Sequence, residues 1–281
     1  MVKTPCQMMI ARTLEELRAA REALGPVGFV PTMGALHEGH LTLVSAAKAA
    51  GLPVAASIFV NPTQFGPNED FARYPRDEKG DLDKLEAAGC ALIWLPTPEI
   101  MYPPHSATTI TVGGPALKWE GASRPGHFSG VATVVAKLFG QVRPEAAYFG
   151  EKDWQQVQVV SRMVEDLALP VRVVPVPIVR ETGGLALSSR NRYLSEPERK
   201  AAPALYAALS HAAQEIVAGK EVAATLHDAR HSLSKAGMVP DYVALVHAHT
   251  LEPLEGFARP ARLIAAAKLG AVRLLDNVPV G

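Results

Sequence analysis

The chain has 281 residues, 48% of them hydrophobic, with 28 Lys and Arg side chains balanced by 28 Asp and Glu. That length suits about two domains with a sizeable core, and the absence of net charge removes any global attraction for nucleic acid, so a phosphate-bearing ligand must be recognised by a local cluster. No apolar run approaches the ~18 residues of a membrane span, and the N-terminus has no apolar stretch of signal length, which predicts a cytoplasmic chain without membrane partners. Cys6 and Cys90 are too few for a disulfide framework and lack CxxC spacing; Cys90, in GCALIWLP, reads as a buried apolar thiol.

In chain order, the periodicity predicts a helix over Leu14 to Leu24 and a strand over Val27 to Val30, which runs into the turn PTMGALHEGH. A helix from His40 to Ala50 follows, closed by Gly51. Val54 to Val60 reads VAASIFV, with the length and β-branching of a buried parallel strand. Next come a helix over Asp77 to Ala88 with Gly89 as its stop, and a strand over Ala91 to Leu95. The alternation continues with helix Val131 to Phe139, strand Ala146 to Phe149, helix Asp153 to Asp166 and strand Val171 to Val174. Such alternation defines an α/β fold, a Rossmann-like parallel sheet with helices on both faces.

Pro170, Pro175 and Pro177 then punctuate the chain and place a domain boundary between residues 178 and 179. Residues 1–178 are expected to form the Rossmann-like domain, and 179–281 a smaller C-terminal α+β domain. In the latter, Ser195-Glu196-Pro197-Glu198 has capping-box spacing before a long alanine-rich helix. A second helix is expected over Val222 to Ala236, with strands over Tyr242 to Val246, Arg262 to Ala267 and Val272 to Leu275.

The turn after the first strand is a place to hold phosphate. Gly34 and Gly39 allow close backbone approach, the first helical amides have no intrahelical partner, and the helix dipole favours an anion. Gly34 to His40 copies the glycine spacing of a Walker A loop, but His40 replaces its lysine and Leu41 its hydroxyl, so a P-loop is excluded. No G-x-G-x-x-G occurs, and His37 and His40 lack the spacing of an H-E-x-x-H zinc site. The two histidines at a helix start are left as hydrogen-bond donors to phosphate oxygens.

Further polar groups follow other strands, where ligands bind in an open parallel sheet. Gln64 follows Asn61-Pro62; taken alone it reads as a turn residue, although a neutral amide also suits a hydroxy acid. Gly150-Glu151-Lys152-Asp153 opens a helix on which Lys152 and Gln156 share a face, and a lysine there opposes the helix dipole unless an anion pairs with it. Ser188-Ser189-Arg190 offers two hydroxyls and a forked cation, or simply a polar loop. Arg124, Gly126, His127, Tyr74 and Arg76 lie in similar turns and receive no firm role.

PTMGALHEGH contains the HxGH pattern and resembles the pantoate–β-alanine ligase (pantothenate synthetase) family of the HxGH nucleotidylyltransferase superfamily. Four more segments resemble that family in order: SIFVNPTQFGPNEDFARYPR from Ser57, RPGHFSGVATVVAKLF from Arg124, YFGEKDWQQ from Tyr148 and LALSSRNRYLS from Leu185. The resemblance implies ATP-dependent condensation of D-pantoate with β-alanine through pantoyl adenylate, releasing AMP and pyrophosphate. It implies His40 as proton donor, with His37, Lys152 and Arg190 also catalytic. It further implies an ATP site of Met33, Gly34, Ala35, Leu36, His37, Glu38, Gly39 and His40, together with Gly150, Glu151, Lys152, Asp153, Val179, Leu187, Ser188, Ser189 and Arg190. Gln64 matches the residue that binds pantoate and β-alanine, and Gln156 its pantoate counterpart. A homodimer is implied, and Mg2+ is expected with ATP, held by the phosphates rather than by a protein metal site. Gly183-Gly184 and Leu187 depart from the commoner aspartate and methionine, which bears on the loop's resting conformation rather than on the reaction. Two rivals are another HxGH-type nucleotidylyltransferase, which gives no reason for Gln64 and Gln156, and a catalytically silent nucleotide-binding regulator.

Overall fold

The computed structural model of the chain describes residues 8–67 and 69–281, so the reading of Cys6 and of the N-terminus falls outside the described residues. A short strand β1 (Met9–Ala11) leads to helix α1 (Leu14–Leu24), whose Thr13 cap and Glu16 satisfy each other's backbone amides. Then follow β2 (Gly28–Thr32), α2 (Glu38–Ala49), β3 (Val54–Ile58), α3 (Glu78–Ala88), β4 (Leu92–Trp94), and the short helices α4 (Pro98–Met101) and α5 (Glu120–Ser123). Helix α6 (His127–Val142), β5 (Ala146–Gly150), α7 (Trp154–Asp166) and β6 (Arg172–Val176) complete the first layer set.

These six strands form one parallel sheet in the order β1-β4-β3-β2-β5-β6. Their period-2 alternation explains why both faces are covered. Phe29, Ala55, Trp94 and Phe149 point toward α1, α6 and α7, while Val30, Ala56, Ile93 and Tyr148 point toward α2 and α3. From β2 the chain builds outward through β3 and β4, then β5 pairs with the other side of β2. The sheet order therefore reverses between β2 and β5, and the crevice beyond their carboxyl ends is where such a fold receives a ligand.

The remaining elements are α8 (Glu196–Ala201), α9 (Ala204–Val217), α10 (Val222–Lys235), β7 (Val239–His247), β8 (Ala261–Leu269) and β9 (Val272–Val280). The three strands form an antiparallel sheet that packs with α9 and α10 around Leu209, Ile216, Leu233, Leu263 and Leu274, a core separate from the first two.

Several boundaries differ from expectation. The single long helix after Ser195 is two helices, because Pro203 lacks the N–H that would carry the ladder through. Helix α6 begins at His127 rather than Val131, entered through Gly126 at φ +82°. Strand β1 is unanticipated, and β7, β8 and β9 each run nine residues, longer than their apolar cores indicated.

Candidate functional site

The turn between β2 and α2 is built by a residue the sequence did not flag. Gly34 (φ +80°) and Ala35 (φ +52°) both adopt left-handed backbone, which turns the amides of Ala35 and Leu36 toward one point. The Asp81 carboxylate of α3, 1% exposed, occupies that point and accepts from Ala35 N at 2.7 Å and Leu36 N at 2.8 Å. Lys84 lies 3.9 Å from Asp81 and donates to the Leu36 carbonyl at 2.9 Å. A methyl group on Gly34 would stand 2.8 Å from the Asp81 carboxylate, so the glycine is demanded by both φ and space.

The start of α2 also corrects an expectation. Its second and third amides are already engaged within the turn: Gly39 N donates to His37 Nδ1 at 3.2 Å, and His40 N to the His37 carbonyl at 2.8 Å. In return His37 N donates to His40 Nδ1 at 3.3 Å, and the rings lie tilted at 43° with centroids 4.2 Å apart. Each Nδ1 is therefore an acceptor, and the proton of each neutral ring resides on Nε2. Burial, reinforced by the Lys152 charge, lowers the His37 pKa to about 4. Burial and the neighbouring His37 lower that of His40 to about 3. Both rings are neutral at pH 7 and donate through Nε2–H.

Three further turns reach the same crevice. After β3, Asn61 caps a single 3-10 turn, Pro62–Gln64, and its amide donates to Gln64 Oε1 at 3.1 Å and to the Gly130 carbonyl at 3.2 Å. Gln64, 9% exposed, donates to Met33 Sδ at 3.1 Å. After β5, the 3-10 turn Glu151–Asp153 presents Lys152, whose ammonium lies 3.3 Å from Asp153 Oδ1. Burial raises the Asp153 pKa, but the Lys152 charge, with Arg190 adding to it, outweighs this and holds the carboxyl below its ordinary range. After β6, a bridge between Arg180 and Ala186 closes a hairpin that delivers Ser188–Arg190. Arg190 forms a two-pronged pair with Asp70, Nε to Oδ2 at 3.0 Å and Nη2 to Oδ1 at 2.9 Å.

Of the residues singled out from sequence, Met33, His37, Gly39, His40, Gln64 and Gln156 line one cavity of about 230 Å3. Gly150, Lys152, Asp153, Val179 and Leu187 to Arg190 line its other walls. Gly34, Ala35, Leu36, Glu38 and Glu151 do not line it. The first three build the turn, Glu38 is exposed, and Glu151 is held by Arg262 of β8 at 2.9 Å. Tyr74, Arg124 and His127, left without roles, do line it. Arg124 pairs with Glu69 at 2.6 Å, and His127 Nδ1 lies 2.9 Å from the Gln64 carbonyl. Asp70 and Asp81 carried no local signal, since each acts across the fold on a distant partner. Cys90 is buried, and burial pushes its thiol up to about 12.

Neutral imidazole donors, an ammonium and a guanidinium from separate turns at the switch point of a parallel sheet suit a nucleotide polyphosphate, the chemistry of a nucleotide-binding class of α/β proteins. Comparison with known proteins narrows the class. The family model described as Pantoate-beta-alanine ligase matches residues 9–279, and the chain belongs to that family. It is 57% identical over 278 residues to the pantothenate synthetase of Acidiphilium cryptum, covering 97% of this chain and 100% of the relative. It is 54% identical to that of Granulibacter bethesdensis, with 96% of each covered. The crystal structure of pantothenate synthetase from Thermus thermophilus superposes with a TM-score of 0.93 at 52% identity, covering 97% of this chain and 99% of that one. A pantoate-beta-alanine ligase from Francisella tularensis, complexed with Beta-gamma ATP and beta-alanine, matches with a TM-score of 0.81 at 34% identity and 97% coverage of each.

Proposed function

We infer that this chain condenses D-pantoate with β-alanine at the expense of ATP, forming pantothenate, AMP and pyrophosphate. The observation that carries the reading is the convergence of His37, His40, Lys152, Arg190, Gln64 and Gln156 on one cavity in a member of this family. In the first step a pantoate carboxylate oxygen bonds to the α-phosphorus while the bond to the β-phosphate bridging oxygen breaks, giving pantoyl adenylate and pyrophosphate. Charge grows on the phosphoryl oxygens and the leaving group. His37 and His40 Nε2–H and the Lys152 and Arg190 cations answer it, more strongly in the transition state than in the ground state. A polyphosphate beside His40 also raises that ring's proton affinity, which suits its role as proton donor. In the second step the free amine of β-alanine attacks the activated carbonyl, a C–N bond forms, and AMP leaves.

Gln64, with its amide oriented by Asn61 and Met33, binds pantoate and β-alanine, and Gln156 binds pantoate. Met33 to His40, Gly150 to Asp153, Val179 and Leu187 to Arg190 form the ATP site; Gly34 to Leu36 contribute as its backbone frame, and Glu38 and Glu151 as its flanks. Among the described residues no group of three or more His, Cys, Asp or Glu is arranged to hold a metal ion. Magnesium fits as the counter-ion brought by ATP on its own phosphates. The reading extends to a domain division at residues 178/179 and to a cytoplasmic homodimer. Among the described residues, no helix is long and apolar enough to cross a membrane. The test is pyrophosphate release with ATP and pantoate alone, followed by AMP release on adding β-alanine. Release that required CTP or a phosphorylated acceptor instead would overturn the reading.

A further inference from the structure

Lys152 sits on a turn that is not held by its own domain alone. Its side chain has one ion-pair partner among the described residues, the adjacent Asp153, so its direction follows from the backbone of the Glu151–Asp153 turn. That backbone is gripped from the C-terminal sheet. Asn277 of β9, 3% exposed, donates both protons of its amide, to the Glu151 carbonyl at 2.8 Å and the Lys152 carbonyl at 3.0 Å. The Asn277 amide is oriented in turn, because its Oδ1 accepts from Arg262 Nη1 at 2.8 Å. Arg262 of β8, 6% exposed, uses Nη2 for the Glu151 carboxylate at 2.9 Å, and its guanidinium lies 3.7 Å from the centre of the Trp154 ring. Trp154 is tied to the end of the same sheet through Nε1–H to the carbonyl of Ala248, the residue after β7, at 2.7 Å.

We propose that Asn277, oriented by Arg262, is a positioning residue for Lys152, so that the ammonium of the nucleotide site is aimed by the C-terminal sheet. A carboxamide is the group this place requires: one end must donate to two carbonyls and the other must accept from a guanidinium. Two carbonyls fixed at one atom also remove the rotation of the turn that would swing the lysine. The inference rests on the reading of Lys152 as a phosphate-binding group.

The experiment is a pair of double-mutant cycles on pyrophosphate release from ATP and pantoate, using Asn277→Ala in the wild-type, Lys152→Ala and Arg190→Ala backgrounds. Asn277→Ala is expected to lower kcat/KM for ATP on the order of 10- to 100-fold. It should have almost no further effect once Lys152 is alanine, yet keep its full effect when Arg190 is alanine. A general loosening of the fold adds in both backgrounds, so additivity with Lys152→Ala overturns the proposal, as does wild-type kcat/KM in Asn277→Ala. Should Asn277→Ala melt below the assay temperature, the same cycles with Arg262→Lys decide. That change keeps the charge but cannot span Asn277 and Glu151 together. The Lys152→Ala single variant separates the premises: if it loses nothing, the lysine's role fails, whereas if it alone is impaired, the positioning role fails.

Discussion

Replacing Asp81 by asparagine tests whether a carboxylate, rather than the glycine-bearing sequence alone, holds the histidine turn. Asp81 accepts from two successive amides at 2.7 and 2.8 Å in a site almost closed to water. Each charge-assisted bond contributes about 1.5–3 kcal/mol, and asparagine keeps only one acceptor oxygen. Its NH2 then faces either the Ala35 or the Leu36 N–H, donor against donor, leaving a buried amide without a partner. The sum is a loss of roughly 2–4 kcal/mol in unfolding free energy, offset only in part by the lower desolvation of a neutral group. Because Ala35 is held at φ +52°, the freed turn should relax toward ordinary backbone and carry His37 with it. The assay is denaturant unfolding of Asp81→Asn beside the wild type, with kcat/KM for ATP measured at a temperature where both are folded. Stability within about 0.5 kcal/mol of the wild type, with unchanged ATP kinetics, refutes the reasoning, since a surface substitution does no more.

His40→Ala and Lys152→Ala should each lose on the order of 3 kcal/mol of transition-state stabilisation, measured as kcat/KM, with small changes in melting temperature; wild-type turnover in either removes its role. Gly130→Ala should be far more damaging to stability than an alanine in a helix suggests. Its Cβ would run into the Thr63 carbonyl oxygen and stand 2.7 Å from Gln64 N, both backbone atoms. A cost of about 3 kcal/mol and a raised KM for pantoate are expected from the displaced Gln64 turn. For pH, the histidine pair binds fewer protons folded than unfolded, since its native pKa values of about 4 and about 3 lie below the ordinary 6.5. Stability from this source is complete above pH 6.5 and declines as pH falls toward 4. At pH 5 each ring accounts for at most about 2 kcal/mol, reduced by water in the open cleft. Unfolding free energies at pH 7 and pH 5 for the wild type and His40→Asn should differ more for the wild type.

The parallel sheet was legible because its strands are covered on both faces and read as near-continuous apolar runs, VAASI of β3 above all, separated by glycine-stopped helices. The histidine turn was legible because its glycines and paired imidazoles are contiguous. Strand β1 has three residues, too few for any periodicity, and the first turn of α6 is hidden by Gly126, His127 and Gly130. Strands β7 and β9 carry Pro240 and Pro279 near their ends, which masked the full length of both. The groups that hold the site in shape were illegible for a different reason. Asp81 acts across 46 residues, Arg262 across 111, Asp70 across 120 and Asn277 across 126, distances over which no local spacing survives.

The Asp70 pair gives Arg190 a further property. Its guanidinium does not meet the cleft bare, because one edge, Nε and Nη2, is already filled by a carboxylate of matching geometry. An incoming anion finds only the remaining Nη hydrogens, on a cation whose charge Asp70 already balances, and so brings little net Coulomb gain. A small monovalent ion has nothing else to offer in compensation. A ligand that touched His37, His40 and Lys152 at the same moment would, and the ion pair would then weight the cleft toward multivalent guests over the background electrolyte.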